Sequence, residues 1–190
     1  MFQIIFSLPA DAPAVEALLD RAFGPGRLSK SSYTFRRGIA PLPGLAFVAR
    51  TADRLVGTIA CWPVRVGEAG TPAILLGPIG VEPGLQRSGI GAALIAHTLA
   101  NAAALGHRLV LLVGDPAYYA RFGFRPAASL GIEVQGEPPG RLQFFELTPG
   151  AVSAAKGIVR RADSETGTAA DPSGARAGTV PEAAVAAQAY

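Results

Sequence analysis

The feature that most constrains this chain lies between residues 73 and 106, where an apolar run meets a glycine-rich loop and then a helical pattern. Ala73 to Val81 reads as a buried strand. A Pro83-Gly84 turn follows, then Gln86-Arg87-Ser88-Gly89-Ile90-Gly91. The helical pattern runs from about Ile90 to Leu105, with Gly106 placed to stop it. Glycines at a strand-to-helix junction let a ligand approach the backbone closely. The first N–H groups of that helix have no internal partner and carry the positive end of the helix dipole. Such a junction suits a phosphate-bearing ligand.

Spacing excludes two standard phosphate loops. A P-loop requires Lys followed by Ser or Thr directly after its last glycine, and here Gly91 is followed by Ala92-Ala93. A dinucleotide fingerprint starting at Gly89 requires Gly or Ala at position 94, where Leu94 stands. What remains is Gln-x-x-Gly-x-Gly. Downstream, Leu109 to Val113 reads as a central strand and Asp115-Pro116 as the start of a short helix, which leads into Tyr118-Tyr119-Ala120-Arg121-Phe122-Gly123-Phe124.

These two motifs, in this order, resemble the GNAT acyltransferase superfamily. That superfamily carries Gln/Arg-x-x-Gly-x-Gly/Ala between a strand and a helix, and a later Tyr-x-x-x-Gly-Phe. Gly114-Asp115-Pro116-Ala117-Tyr118-Tyr119-Ala120-Arg121-Phe122-Gly123-Phe124 also resembles a signature of a bacterial GNAT subgroup, as do Thr148-Pro149-Gly150-Ala151 and Gly157-Ile158-Val159-Arg160 near the close of the domain. The resemblance covers roughly Met1 to Ala162 and is motif-specific across 74–126. It implies an α/β domain whose mixed, mostly antiparallel sheet is flanked by helices and splays at its centre. It implies acetyl-CoA as cosubstrate and direct N-acetyl transfer to a primary amine, of a small molecule or a peptide, in a ternary complex.

The site residues follow from the same resemblance. The backbone of Gln86, Arg87, Ser88, Gly89, Ile90, Gly91 and Ala92 would hold the cofactor pyrophosphate. Ile79 and Val81 would lie on the splayed strand that pairs with the pantetheine amides, with Gly77-Pro78 as a bulge opening the splay. Tyr119 would donate a proton or hydrogen bond to the departing thiolate. Read from the residues alone, Tyr119 is equally a packed core tyrosine, the loop an ordinary tight turn, and Ile79 and Val81 core side chains. Tyr118, about 100° away on a helix, is the adjacent alternative. Asp115 reads as a helix cap. No carboxylate stands on the strand before the loop, where many relatives carry a glutamate. Glu82 reads as an exposed residue beside the turn, and Glu68 as a hairpin tip. A base is therefore not assigned, and deprotonation through water and backbone carbonyls is expected. Trp62 and Arg65 are candidate acceptor-pocket residues, and segments 27–40 and 125–141 would shape acceptor choice.

Composition narrows the class further. No apolar run reaches about 18 residues, the length that spans a membrane, and Met1-Phe2-Gln3-Ile4-Ile5-Phe6 reads as a first strand rather than a signal peptide. A lone cysteine, Cys61, excludes an internal disulfide and reads as a buried hydrophobe suited to the cytoplasm. No His, Cys and acidic cluster has metal-ligand spacing, so no metal is expected. The net charge of +3 is modest and the basic residues are scattered, which argues against nucleic-acid partners. Asp11 reads as an N-cap before Val15, Leu18, Leu19 and Ala22. Ala46–Arg50 and Leu55–Val66 read as antiparallel strands around a turn at Asp53, with a further hairpin turn over 67–70 and a strand over 142–147. From Asp163 the chain becomes a linker-like tail of Ala, Gly, Ser, Thr and Pro, giving a domain over 1–162 and a tail over 163–190. The residues leave a homodimer open. They also leave open a non-catalytic coenzyme A-binding sensor or scaffold, and an acyltransferase with a longer acyl chain or a hydroxyl acceptor.

Overall fold

The computed structural model describes residues 1–52 and 54–162; the expected tail over 163–190 lies outside the described residues, as does Asp53. The described strands are β1 (Gln3–Phe6), β2 (Ala46–Arg50), β3 (Leu55–Val66), β4 (Thr71–Val81), β5 (Leu109–Val113), β6 (Arg125–Pro126), β7 (Ile132–Glu133), β8 (Leu142–Glu146) and β9 (Gly157–Arg161). The α-helices are α1 (Ala12–Phe23), α2 (Ile90–Ala104) and α3 (Pro116–Ala120). The sheet runs β1-β2-β3-β4-β5-β8-β6, with β9 joining β3 and β7. Only β4–β5 and β7–β9 are parallel pairs.

Helices cover both faces of the sheet, so its central strands carry continuous apolar runs. On β2, Phe47 and Ala49 pack into the cluster with Ile90, Leu94 and Ile95 of α2, while Val48 between them packs with Leu18 of α1. Two sheet glycines mark how closely the helices press. A Cβ on Gly57 would lie 2.7 Å from Ile90 Cγ2, and one on Gly80 would lie 2.8 Å from Leu19 Cδ2. Helix α2 ends in a Schellman motif: His107 N–H donates to Ala102 O at 3.0 Å, Gly106 N–H to Ala103 O at 3.0 Å, and Gly106 sits at φ +81.

The central event is the parting of β4 from β5. They pair only at Ile74–Val110 and Leu75–Leu111. Beyond that point β5 continues beside β8, and β4 continues beside β3 alone. A bulge sits where they part: Ile59 pairs with Ile79 and Cys61 with Leu76, which sets Gly77 and Pro78 opposite Ala60. The expected splay and its bulge are therefore present.

One local expectation changes. Asp11 stands at the start of α1 but does not cap it with its side chain; its carboxylate turns back to accept from Leu8 N–H at 2.9 Å and pairs with Arg50 of β2. The Leu8 N–H and the Arg50 guanidinium thus take the carboxylate in place of the helix end. The segment after α1 forms two 3-10 turns, Pro25–Ser29 and Ser31–Tyr33. The sheet also extends past β8 through β9, whose Val159 pairs with Val66 of β3. Among the described residues, no helix is long and apolar enough to cross a membrane, and no His, Cys, Asp and Glu cluster is arranged to hold a metal.

Candidate functional site: a cleft between diverging strands

The wedge left by β4 and β5 is a cavity of about 390 Å³, walled by Leu75 to Ile79 on one side and by Val113, Gly114 and Asp115 on the other. Tyr118 and Tyr119 both line it. Past Leu75, the backbone groups of β4 that face away from β3 have no strand partner, so an extended ligand can pair there as an added strand would. At its far end β4 runs into the glycine loop, where a second cavity of about 600 Å³ is lined by Val81, Leu85, Gln86, Arg87, Gly89, Gly91, Ala92, Tyr118 and Arg121. Tyr118 thus belongs to both spaces and joins them.

The loop is conformationally demanding. Gly84 and Gly89 have φ of +92 and +86, and Arg87 takes φ +68, which side-chain-bearing residues rarely adopt. The first bond of α2 at this end is Ala93 N–H to Gly89 O at 2.9 Å, so the N–H groups of Ile90, Gly91 and Ala92 precede the helical ladder. Gly91 lies in a narrow place: a Cβ there would sit 3.3 Å from Tyr118 Oη and 3.6 Å from Val81 Cγ2. The loop cavity has two arginines, Arg87 and Arg121, and no carboxylate in its wall. That charge balance favours an anion.

Not every loop side chain faces this space. Ser88 turns its hydroxyl back to Leu85 O, and Ile90 is 3% exposed in the core beneath α2. For these two residues only the backbone is left to meet a ligand. Ile79 lines the wedge and Val81 the loop cavity, while both also pack against the core.

Local sequence sets the tyrosine pair. Asp115 caps α3 by accepting from Ala117 N–H at 3.1 Å, and Pro116 opens its first turn. The two rings meet edge to face, with centroids 4.9 Å apart and planes at 86°. Tyr119 packs edge-on to Phe124, with centroids 5.9 Å apart, and flat against the backbone of Gly114, where a Cβ would overlap its ring. Burial, reinforced by the neighbouring Tyr118, pushes the Tyr119 phenol up to about 12. Tyr118 is the more exposed ring, covered by the Arg121 guanidinium 4.4 Å from its centroid.

The remaining titratable groups sort clearly. Glu82 is not free beside the turn as the sequence suggested. Its side chain is 13% exposed and both oxygens take the Arg21 guanidinium, at 3.1 and 2.8 Å, which holds its carboxyl below the usual range. Glu68 is an exposed turn residue. Burial pushes the Cys61 thiol up to about 12, consistent with an inert core residue. Trp62 lines a third, apolar cavity beside the wedge. Arg65 does not join it, and instead donates to Gly70 O at 3.4 Å in the hairpin below.

The wedge also contains residues that no motif marked: Arg27, Lys30, Ser32, Tyr33 and Arg36 from the segment after α1, and Glu137 and Arg141 from the loop before β8. The two segments meet where the Ser31 hydroxyl donates to Glu137. Arg27 anchors the first of them, donating to Asp20 at 2.7 Å, to Tyr33 Oη at 2.7 Å and to Glu16. The only available signal was general: both lie in irregular, polar stretches that return to one end of the sheet.

Comparison with known proteins agrees with this layout. The uncharacterised N-acetyltransferase YhbS of Escherichia coli K12 is 28% identical over 151 residues, covering 80% of this chain and 89% of that protein. The crystal structure of E. coli YhbS in complex with CoA superposes with a TM-score of 0.75 at 27% identity, covering 85% of this chain and 90% of that one. A GNAT family acetyltransferase from Brucella melitensis, crystallised with acetyl-CoA, gives a TM-score of 0.65 at 29% identity, covering 84% of this chain and 95% of that one. The family profile described as an acetyltransferase (GNAT) domain matches residues 7–127. With the parted strands, the glycine loop and the tyrosine-bearing helix in their expected order, this chain belongs to the GNAT acetyltransferase family.

Proposed function

We propose that this protein transfers an acetyl group from acetyl-CoA directly to a primary amine, with both substrates held at once in the wedge. The observation that carries the reading is the free edge of β4. It runs from the tyrosine pair, past Ile79, to a glycine loop whose wall is cationic. The fit is steric as well as electrostatic. A phosphate chain needs bare backbone, and the loop offers it at Gly89, where a Cβ would meet nothing within 4 Å, and at Gly91, where it would crowd the passage. Relatives crystallised with CoA and acetyl-CoA support the same assignment.

Each part of the chain then has a task. Acetyl-CoA supplies the acetyl group as a thioester. The N–H groups of Ile90, Gly91 and Ala92, with Arg87 and Arg121, hold the pyrophosphate at the start of α2. The β4 edge around Ile79 and Val81 aligns the pantetheine amides. The amine nitrogen forms a bond to the acetyl carbon, the carbon–sulfur bond breaks, and the sulfur takes a proton from the Tyr119 hydroxyl. The nitrogen gives up its proton to water, and Tyr119 is reprotonated from solvent, so amine and thioester become amide and thiol. Tyr119 suits this role because its ring lines the wedge and its hydroxyl, pushed up to about 12, stays protonated at neutral pH. Calorimetry with coenzyme A, followed by thiol release from acetyl-CoA on adding amines, tests the reading. Binding with amine-dependent release is the expected result; binding without it would leave only a coenzyme A-binding module.

A further inference from the structure

Beside the wedge lies an apolar cavity of about 700 Å³, between α1, the segment after it and β3. The two spaces share Tyr33, Arg36 and Pro78. The second cavity is lined by Val15, Leu19, Leu28, Ile39 and Trp62 among others, and its size is that of a site for a bulky apolar group. The only acidic side chain in its wall is Glu16, which is committed to Arg27.

Arg36 stands at the junction. Its guanidinium lies 3.5 Å from the centroid of Tyr33 and 5.3 Å from that of Trp62, and its Nε donates to Ser32 O at 3.3 Å. Among the described residues, no carboxylate reaches ion-pair distance of it, whereas Arg27 has Glu16 and Asp20, and Arg141 has Glu137 at 3.7 Å. Lys30, also on the wedge wall, rests on the Phe23 ring and likewise has no carboxylate within that distance. A partly desolvated cation with no carboxylate in contact, between the wedge and an apolar cavity, selects an anion with an apolar body. A polyamine finds no carboxylate here that is not already engaged: Asp115 caps α3, and Glu137 is taken by Ser31 and Arg141.

We propose that the acceptor is an amphipathic amino acid. Its carboxylate would lie on Arg36, its bulky apolar side chain would enter the cavity against Trp62 and Leu19, and its amine would point into the wedge. This rests on the acetyl-transfer reading above and adds the acceptor class to it.

The test compares L-phenylalanine and L-tryptophan with phenethylamine and tryptamine, which lack the carboxylate, and with spermidine, following thiol release from acetyl-CoA. A charge-assisted pair at Arg36 is expected to favour each amino acid by about tenfold or more in kcat/KM over its decarboxylated amine. Arg36→Met is expected to erase that preference through KM, Arg36→Lys to restore part of it, and neither to change coenzyme A affinity, which also reports that the variants fold. On the coenzyme A-saturated protein, calorimetry with N-acetyl-L-phenylalanine and N-acetylphenethylamine reads the same preference without turnover, and tighter binding of the carboxylate is expected. Equal or better handling of the decarboxylated amines or spermidine, or equal binding of the two acetylated probes, overturns the acceptor class while the acetyl-transfer reading stands. Failure of coenzyme A to bind the wild-type protein overturns that reading instead.

Discussion

Burial gives Tyr119 and Tyr118 different surroundings although they are adjacent. Tyr119 is wedged against Gly114 and Phe124, and its phenol is pushed up to about 12, so it holds its proton through the range in which amines titrate. Tyr118 lies by Gly91, with its hydroxyl toward the loop passage. Tyr119→Phe is therefore expected to lower kcat by roughly ten- to a thousand-fold with little change in acetyl-CoA affinity. Tyr118→Phe should act mainly on cofactor binding. Steady-state kinetics with coenzyme A calorimetry separate these effects, and a crippled Tyr118→Phe beside an unaffected Tyr119→Phe would mean the wrong tyrosine has been chosen. The pH dependence has a definite sign. Raising an acid's pKa extends its neutral, donating form to higher pH, so turnover should rise as the amine deprotonates and show no fall from Tyr119 until pH nears 12. A falling limb near the ordinary tyrosine value of about 10 would place the donor in a more exposed setting.

At the scale of elements, the site depends on how α2 sits on the sheet. Gly91→Val would place a branched side chain between Tyr118 Oη and Val81 Cγ2, 3.3 and 3.6 Å from the first added carbon, and should abolish coenzyme A binding while leaving thermal unfolding nearly unchanged. Unchanged affinity in a folded Gly91→Val protein would remove the loop from the site. Gly57→Val attacks the same helix from below. Its Cβ would meet the stiff, β-branched Ile90 at 2.7 Å and Leu94 at 3.1 Å, so α2 must lift, at a cost of about 1–3 kcal/mol. Melting curves should show that loss, and an unshifted midpoint would mean the contact relaxes freely. These elements were legible in the sequence because their signals are local. β2 and β3 fall where the apolar runs placed them, Asp115-Pro116 caps as such pairs do, and the glycine spacing marked the loop. Asp11 was misread because its partner, Arg50, is distant in sequence. The two-residue strands β6 and β7 are too short to show a period, and β9 is set by pairing with β3 rather than by its own pattern.

Across the whole molecule, the wedge is assembled from segments far apart in the chain: β4, the turns after α1, the end of β5 with α3, and the loop before β8. The proposed cofactor half was readable because its residues are contiguous and their spacing is dictated by one strand, one turn and one helix. The proposed acceptor half was not, because Arg27, Arg36 and Glu137 are placed by ion pairs, ring contacts and hydrogen bonds that leave no periodic trace. Its location in segments 27–40 and 125–141 could be named, but not its chemistry. The central claim is that these two halves meet around a single reaction. It is tested most directly by following free thiol from acetyl-CoA as a panel of primary amines is added to the protein over residues 1–190. The account predicts release that depends on both protein and amine, with a matching amount of N-acetylated product. Coenzyme A binding with no amine raising thiol release above the protein-free rate would contradict it.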